Sequence, residues 1–185
     1  MAKVTKKPTT VLYPVPAVLV SCGIGQRANI ITLAWVGTLC SEPPLLGIGV
    51  RPGRYSHGLI KEVGEFVVNL PDVEQVRWVD YCGMVSGRDE DKWAACGFTP
   101  APAMEVQVPV IAECPVNIEC RVQQVLSLGS HDLFTGEVLA VQMDEAVLDE
   151  RGRLDLAKAK PFAFLGREYR QVGGQLGTFG YSKKV

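Results

Sequence analysis

From residue 116 to residue 123 the chain alternates without a break. Val116, Ile118, Cys120 and Val122 are apolar; Asn117, Glu119, Arg121 and Gln123 are polar. A period of two over eight residues sends successive side chains to opposite faces, which a strand does and a helix does not. One apolar and one polar face make it a half-exposed strand of an antiparallel sheet. The rest of the chain suits the same class. Among 185 residues there are 25 valines, 19 glycines and 12 prolines, so short β-branched runs lie between frequent chain reversals. The expectation is a mainly β fold, a small barrel with a few short helices. With roughly 150 residues to a typical domain, residues 1–185 read as a single domain, with a poorly patterned tail from about residue 170.

Along the chain, residues 15–21 read as a first strand, and Gly23 and Gly25 mark a turn. Residues 29–40 form one long, mostly apolar run with Gly37 inside it, ended by Glu42-Pro43-Pro44. Residues 45–51 are a strand whose Gly47 and Gly49 leave room for a close approach to the backbone. Leu59, Ile60 and Val63, following Ser56, have helical spacing, and Gly64 stops them. Residues 66–70 are a strand. Asp72 and Gln75 make a capping box ahead of Val73, Val76 and Val79 on one helix face. Residues 83–91 are a polar loop and 91–96 a short helical turn. After the alternating strand, Leu128-Gly129-Ser130 reverses the chain and residues 133–143 return. Residues 149–160 are a charged surface excursion, and 162–165 a short strand.

Several function classes drop out. With 19 basic and 20 acidic residues there is no cationic excess to bind a phosphate backbone, so nucleic acid is not an expected partner. No apolar run reaches the roughly 18 residues of a membrane span. Lys3, Lys6 and Lys7 precede an apolar stretch in which Leu19-Val20-Ser21-Cys22 resembles a lipoprotein cleavage box. Pro14 and Pro16 break that stretch, which reads as a core strand of a cytoplasmic protein. The six cysteines include no CxxC, and Cys114 and Cys120, placed on one strand, stand too far apart to pair, so free buried thiols and no metal are expected. There is no G-x-G-x-x-G after a strand, no P-loop and no G-x-S-x-G elbow.

Three segments could carry chemistry. Arg51-Pro52-Gly53-Arg54-Tyr55-Ser56 puts two guanidinium groups and a hydroxyl at a helix start, where free backbone N–H groups favour a phosphate; the plainer reading is a cap with two solvated arginines. Residues 29–35 mix Asn29 and Thr32 into an apolar strand ending at Trp35, a wall for a flat heterocycle or simply a core tryptophan. His131-Asp132 opens a strand after a turn, a surface pair or a functional one.

Taken in order, these segments and Ser41-Glu42-Pro43-Pro44, Phe66-Val67-Val68-Asn69-Leu70-Pro71, Cys82-Gly83, Ser86-Gly87 with Asp91-Lys92-Trp93, and Gly136-Glu137-Val138 resemble the flavin reductase-like, FMN-binding split-barrel family, in its flavoredoxin-type branch. The resemblance covers roughly residues 10–170. It implies a Greek-key split β-barrel that pairs into a homodimer with FMN near the interface. It implies reducing equivalents passing from NADH or NADPH, through FMN, to free flavin, ferric iron or a protein. The alternative is a flavoredoxin-like carrier reduced by a protein donor, and a third possibility is a barrel with an empty site. By position, Asn29, Ile31, Thr32 and Trp35 match the stretch holding the isoalloxazine, Arg51 and Ser56 the phosphate-binding positions, and Lys92 a basic residue adding to the phosphate site. His131 matches the histidine near flavin and nicotinamide, the one candidate catalytic side chain. Ser56 stands where the family more often has threonine, which keeps the hydroxyl.

Overall fold

The computed structural model describes residues 1–183. In chain order the elements begin with β1 (Val15–Pro16), β2 (Val18–Cys22), β3 (Asn29–Leu33), β4 (Val36–Ser41), β5 (Pro44–Val50), α1 (Tyr55–Val63) and β6 (Glu65–Leu70). They continue with α2 (Val76–Met84), α3 (Lys92–Cys96), β7 (Pro100–Ala101), β8 (Val110–Ile111), β9 (Val116–Ser127) and β10 (Asp132–Met143). α4 (Leu156–Ala159), β11 (Phe162–Phe164) and β12 (Tyr169–Gln171) follow. Seven strands form one antiparallel sheet in the order β3-β2-β6-β9-β10-β5-β4.

The sheet is rolled, and its connectivity shows why. β3 and β4 lie at opposite edges, yet only Ala34 and Trp35 join them. Leu33 and Val36 are three Cα steps apart, at most roughly 11 Å, so the edges must come together. Ile31 and Leu33 of β3 accordingly share one buried cluster with Leu46, Ile48 and Val50 of β5, around Val20, Phe66, Val68 and Phe134. This is the split barrel, with its seam at Trp35. The continuous run expected over residues 29–40 is therefore two strands: both segments have strand character, and only the closure of the sheet separates them. At the seam the glycines of β5 allow a close approach by Trp35 of the junction and by Leu39 of β4. A Cβ on Gly49 would stand 3.1 Å from Trp35 Cβ, and one on Gly47 2.9 Å from a Leu39 methyl.

α1 closes one end of the barrel through Leu59 and Ile60. Its C-terminus behaves as the sequence indicates: Gly64 is left-handed at φ 73° and donates to the Ile60 carbonyl. The Asp72–Gln75 capping box forms, on a short 3-10 turn that leads into α2. α2 and α3 make a second layer on the outer face of β2 and β3, where Val79, Cys82, Trp93 and Cys96 pack against Leu19 and Ile30. Residues 19–22 are thus buried on both faces. Cys114 precedes β9 rather than lying on it, and belongs to this outer cluster while Cys120 faces the barrel.

β9 departs from the half-exposed reading. Asn117 and Glu119 on its polar face are buried, because residues 104–111 fold over them. The Glu119 carboxylate accepts the N–H groups of Met104 and Glu105 at 3.0 and 2.7 Å and the Gln142 amide at 2.8 Å. Burial pushes its pKa up, but these donors outweigh it, and the net shift is downward. Only from Arg121 does the outward face reach water. At the start of the tail β12 pairs with β11; residues 172–178 form no regular element, and residues 184–185 lie outside the described residues.

Candidate functional site

Two small cavities line the mouth of the barrel beside α1. The first, about 140 Å³, lies between the start of α1 and residues 85–88. Its walls include Asn29, Gly53, Arg54, Ser56, Gly87 and Lys92. Arg54 is the N-cap of α1 and no side chain caps the helix; the His57 N–H turns back to the Arg54 carbonyl at 3.0 Å, which leaves the N–H groups of Tyr55 and Ser56 for an anion. Asn29 Nδ2 donates to Ser56 Oγ at 2.8 Å. The serine oxygen accepts there and keeps its own proton to donate. Asn29 is fixed in turn by Gly87: a Cβ on that glycine would sit 2.1 Å from Asn29 Oδ1. Only a hydrogen fits between loop and amide.

Lys92 forms the floor. Asp91 caps α3 through the N–H groups of Trp93 and Ala94 and so sets where Lys92 leaves the helix. The ammonium is buried and donates to the carbonyls of Ile30 and Cys82, both at 2.8 Å. Burial pushes its pKa down, and the two carbonyls leave one of its three protons for the cavity. Arg88, on the same loop, holds its guanidinium 5.5 Å from the Tyr55 ring centre. A wider cavity of about 640 Å³ shares Asn29, Tyr55, Gly87 and Lys92 with the first.

The second small cavity, about 160 Å³, runs along the seam. Ile31, Thr32, Trp35, Arg51, Arg54 and His131 line it. Ile31 and Arg54 also line the first cavity, so the two form one bent groove. Thr32 turns its hydroxyl away, donating to the Val79 carbonyl of α2. Arg51 Nε approaches His131 Nε2 at 3.4 Å, and His131 Nδ1 lies 2.9 Å from Ser130 Oγ. With Nε2 accepting from Arg51, the proton is assigned to Nδ1. Burial, then the neighbouring Arg51 charge, push the His131 pKa down, so the imidazole is neutral at pH 7. Trp35, 37% exposed, is the apolar wall.

The expected site residues therefore fall into two groups. Asn29, Ser56 and Lys92 surround the first cavity; Thr32, Trp35, Arg51 and His131 surround the second; Ile31 lies between. Arg51 and Ser56, paired in the sequence reading, stand on different cavities, and Arg54 is the guanidinium common to both. Sequence reasoning passed over two contributors. Gly87 is one; the adjacent Ser-Gly was its only signal. His57 is the other. Its Nε2 meets Asp132 Oδ2 at 2.8 Å, and Asp132 also accepts from Ser127 Oγ at 2.8 Å. The His57 bond, followed by that of Ser127, pulls the Asp132 pKa down. This link joins the residue after Ser56 to the residue after His131 and so holds the two cavities in register. Nothing local in the sequence connects positions so far apart.

Among the described residues no group of three or more His, Cys, Asp or Glu is placed to hold a metal ion, and no helix is long and apolar enough to cross a membrane.

Known proteins place this groove in context. The model of the flavin reductase like domain matches residues 10–173. A protein of Archaeoglobus fulgidus is 41% identical over 138 residues, covering 75% of this chain and 77% of its own length. Flavoredoxin of Desulfovibrio vulgaris (Miyazaki F) superposes with a TM-score of 0.92 at 35% identity, covering 99% of this chain and 100% of that one. Flavoredoxin from Methanosarcina acetivorans does so with a TM-score of 0.92 at 33% identity, over 100% and 98% of the two chains. Matched over residues 10–173 by the family model and over nearly the whole chain by both flavoredoxins, the chain belongs to the flavin reductase-like family of FMN-binding split barrels.

Proposed function

We propose that the groove holds FMN, with the phosphate in the first cavity and the flavin ring along the seam, and that the protein is an oxidoreductase passing reducing equivalents through it. The observation that carries this reading is the donor set of the first cavity. Two N–H groups of a helix start, the Ser56 hydroxyl, two arginines and a buried ammonium converge on one small space. That set suits a dianion and little else. The second cavity offers what a flat, largely apolar ring needs: Ile31, the Trp35 wall and few charges besides Arg51. Together the cavities approach the roughly 300 Å³ at which ligand pockets begin.

Bound there, FMN would supply the hydride or electron chemistry itself, so no acid–base triad is required. The chain's residues bind, orient and shield. Ser56, Arg54 and the first-turn amides of α1 hold the phosphate. Lys92 and Arg88 add positive charge, and Asn29 keeps the Ser56 oxygen aligned. Arg51 reaches the same ligand from the seam. His131, neutral and held between Arg51 and Ser130, stands where a donor would approach the ring and is the residue assigned to the reductive step.

NADH or NADPH is the first-choice donor, with free flavin, ferric iron or a protein as acceptor. The similarity to two flavoredoxins favours a second reading, an electron carrier reduced by a protein. Around Trp35 the surface is apolar: Leu39, Leu128, Val11 and Leu12 are all exposed. Such a patch beside a ligand groove is covered best by a second copy of the chain, so a homodimer is part of the proposal. A cytoplasmic location accords with all six cysteines being free thiols.

Absorbance spectra test the reading. The protein mixed with FMN and passed through gel filtration should retain a flavin spectrum. Anaerobic NADH or NADPH should then bleach it. Retention without bleaching selects the protein-donor alternative, and no retained flavin rejects FMN binding.

A further inference from the structure

The two helices that carry the loop over the first cavity are in contact through sulfur. Cys82, in the last turn of α2, and Cys96, the last residue of α3, have their Sγ atoms 3.6 Å apart. It is the only thiol–thiol hydrogen bond among the described residues. Both cysteines are buried from bulk water, but Cys82 lines the first cavity and Cys96 does not. Residues 85–91 connect the two helices and bring Ser86, Gly87 and Arg88 to the cavity wall.

We propose that Cys82 and Cys96 are a modification site, a dithiol that peroxide closes to a disulfide when the cavity holds no cofactor, and that closure weakens the cavity's grip on the FMN phosphate. The second half rests on the FMN reading above; the first does not.

Access and geometry support the closure. A cavity of about 140 Å³ admits several water-sized molecules of roughly 30 Å³ each, so hydrogen peroxide fits beside Cys82. The Cys82 thiolate attacks one peroxide oxygen, and the O–O bond breaks to give a sulfenic acid and hydroxide. The Cys96 sulfur then displaces the sulfenic oxygen. Two thiols and one peroxide become one disulfide and two waters, with the two thiol protons leaving in the water. A flavin reduced in air generates that oxidant. Burial pushes both thiol pKa values up, that of Cys82 to about 12, so the attacking thiolate is a minor fraction and closure is slow.

A disulfide needs sulfurs about 2.05 Å apart, so they must approach by roughly 1.5 Å. That shift has little room to dissipate. Lys92 pins the Cys82 carbonyl to the Ile30 carbonyl, and Gly87 already touches Asn29. The displacement therefore reaches the loop and the Asn29–Ser56 pair, the parts that align the phosphate donors.

The experiment uses the full chain stripped of flavin, treated with hydrogen peroxide, alkylated and digested without reductant. Mass spectrometry should find a Cys82–Cys96 linked peptide, formed at least tenfold more slowly when FMN is saturating. The oxidised protein should bind FMN at least tenfold more weakly, and dithiothreitol should restore it. Cys96→Ser and Cys96→Ala should bind FMN as the parent does and keep that affinity after peroxide. Absence of the linked peptide overturns the dithiol. An equal rate with and without FMN overturns protection by the cofactor, and an affinity loss that persists in both Cys96 variants overturns the link to the loop. If the parent chain never retains FMN, the functional reading fails while the peptide still decides the disulfide.

Discussion

The two halves of the groove are built on opposite plans. The cavity at the start of α1 is finished by the chain itself. Asn29, Ser56 and Lys92 are buried, each holds a hydrogen bond, and Gly87 leaves no slack. The cavity along the seam is loose: Trp35 is more than a third exposed, Arg51 and His131 meet at a long 3.4 Å, and apolar surface continues outward to Leu39 and Leu128. A small dianion can be recognised by fixed donors within one subunit. A flat ring that must also meet a donor and an acceptor needs an approach left open. The first half should therefore govern affinity and the second half rate.

The sharpest break of that comparison is Gly87→Ala. A methyl 2.1 Å from Asn29 Oδ1 must expel the amide and free Ser56. Overpacking of this kind costs about 1–3 kcal/mol before any lost ligand contact, and FMN affinity measured by fluorescence titration should fall on the order of a hundredfold. Next comes the pair Arg54→Ala and Arg51→Ala, each assayed with FMN and with riboflavin. A charge-assisted hydrogen bond is worth roughly 1.5–3 kcal/mol, so loss of Arg54 should weaken FMN by about ten- to a hundredfold and leave riboflavin nearly unchanged. If Arg51 also serves the phosphate, its loss has the same selectivity. Equal weakening of both ligands would assign Arg51 to the ring.

Ser56→Ala removes one neutral donor and leaves the helix amides, so a loss of roughly three- to tenfold for FMN is expected. The smallest effect on binding should come from His131→Ala. Truncating a half-exposed side chain beside a turn leaves little cavity. FMN affinity should hold while stopped-flow reduction slows. Unchanged kinetics would remove His131 from the reductive step and make it only a neighbour of Arg51.

Legibility in the sequence follows the same division. Local signals survived folding: the Gly64 stop, the Asp72–Gln75 box and the helix start at Tyr55 depend on neighbours within a turn. The motif order identified the family although each motif alone is short. What stayed hidden depends on residues distant along the chain. Glu119 has the look of a surface carboxylate until residues 104–106 fold onto it. Lys92 is assigned to the phosphate site only through its motif, and the carbonyls of Ile30 and Cys82 that hold it lie 62 and 10 residues away. The Cys82–Cys96 contact follows from packing α2 against α3, which no cysteine spacing encodes. The break at Ala34-Trp35 follows from rolling the sheet, since both flanking segments have the same strand character.

That two-residue junction also sets how the molecule breathes. β3 and β4 are the edges of the seven-strand ladder, so amides there lack the second neighbour that β6 and β9 enjoy. Opening the ligand slot and fraying the barrel are then the same event. Amide hydrogen exchange should be fastest beside Trp35 and slowest in β6 and β9. A ligand lying along the seam acts as a latch on that motion. It stabilises the fold by RT ln(1 + [L]/Kd), about 2.7 kcal/mol at a hundredfold excess over Kd. FMN should therefore slow exchange at both edges together and raise the melting temperature with the logarithm of its concentration.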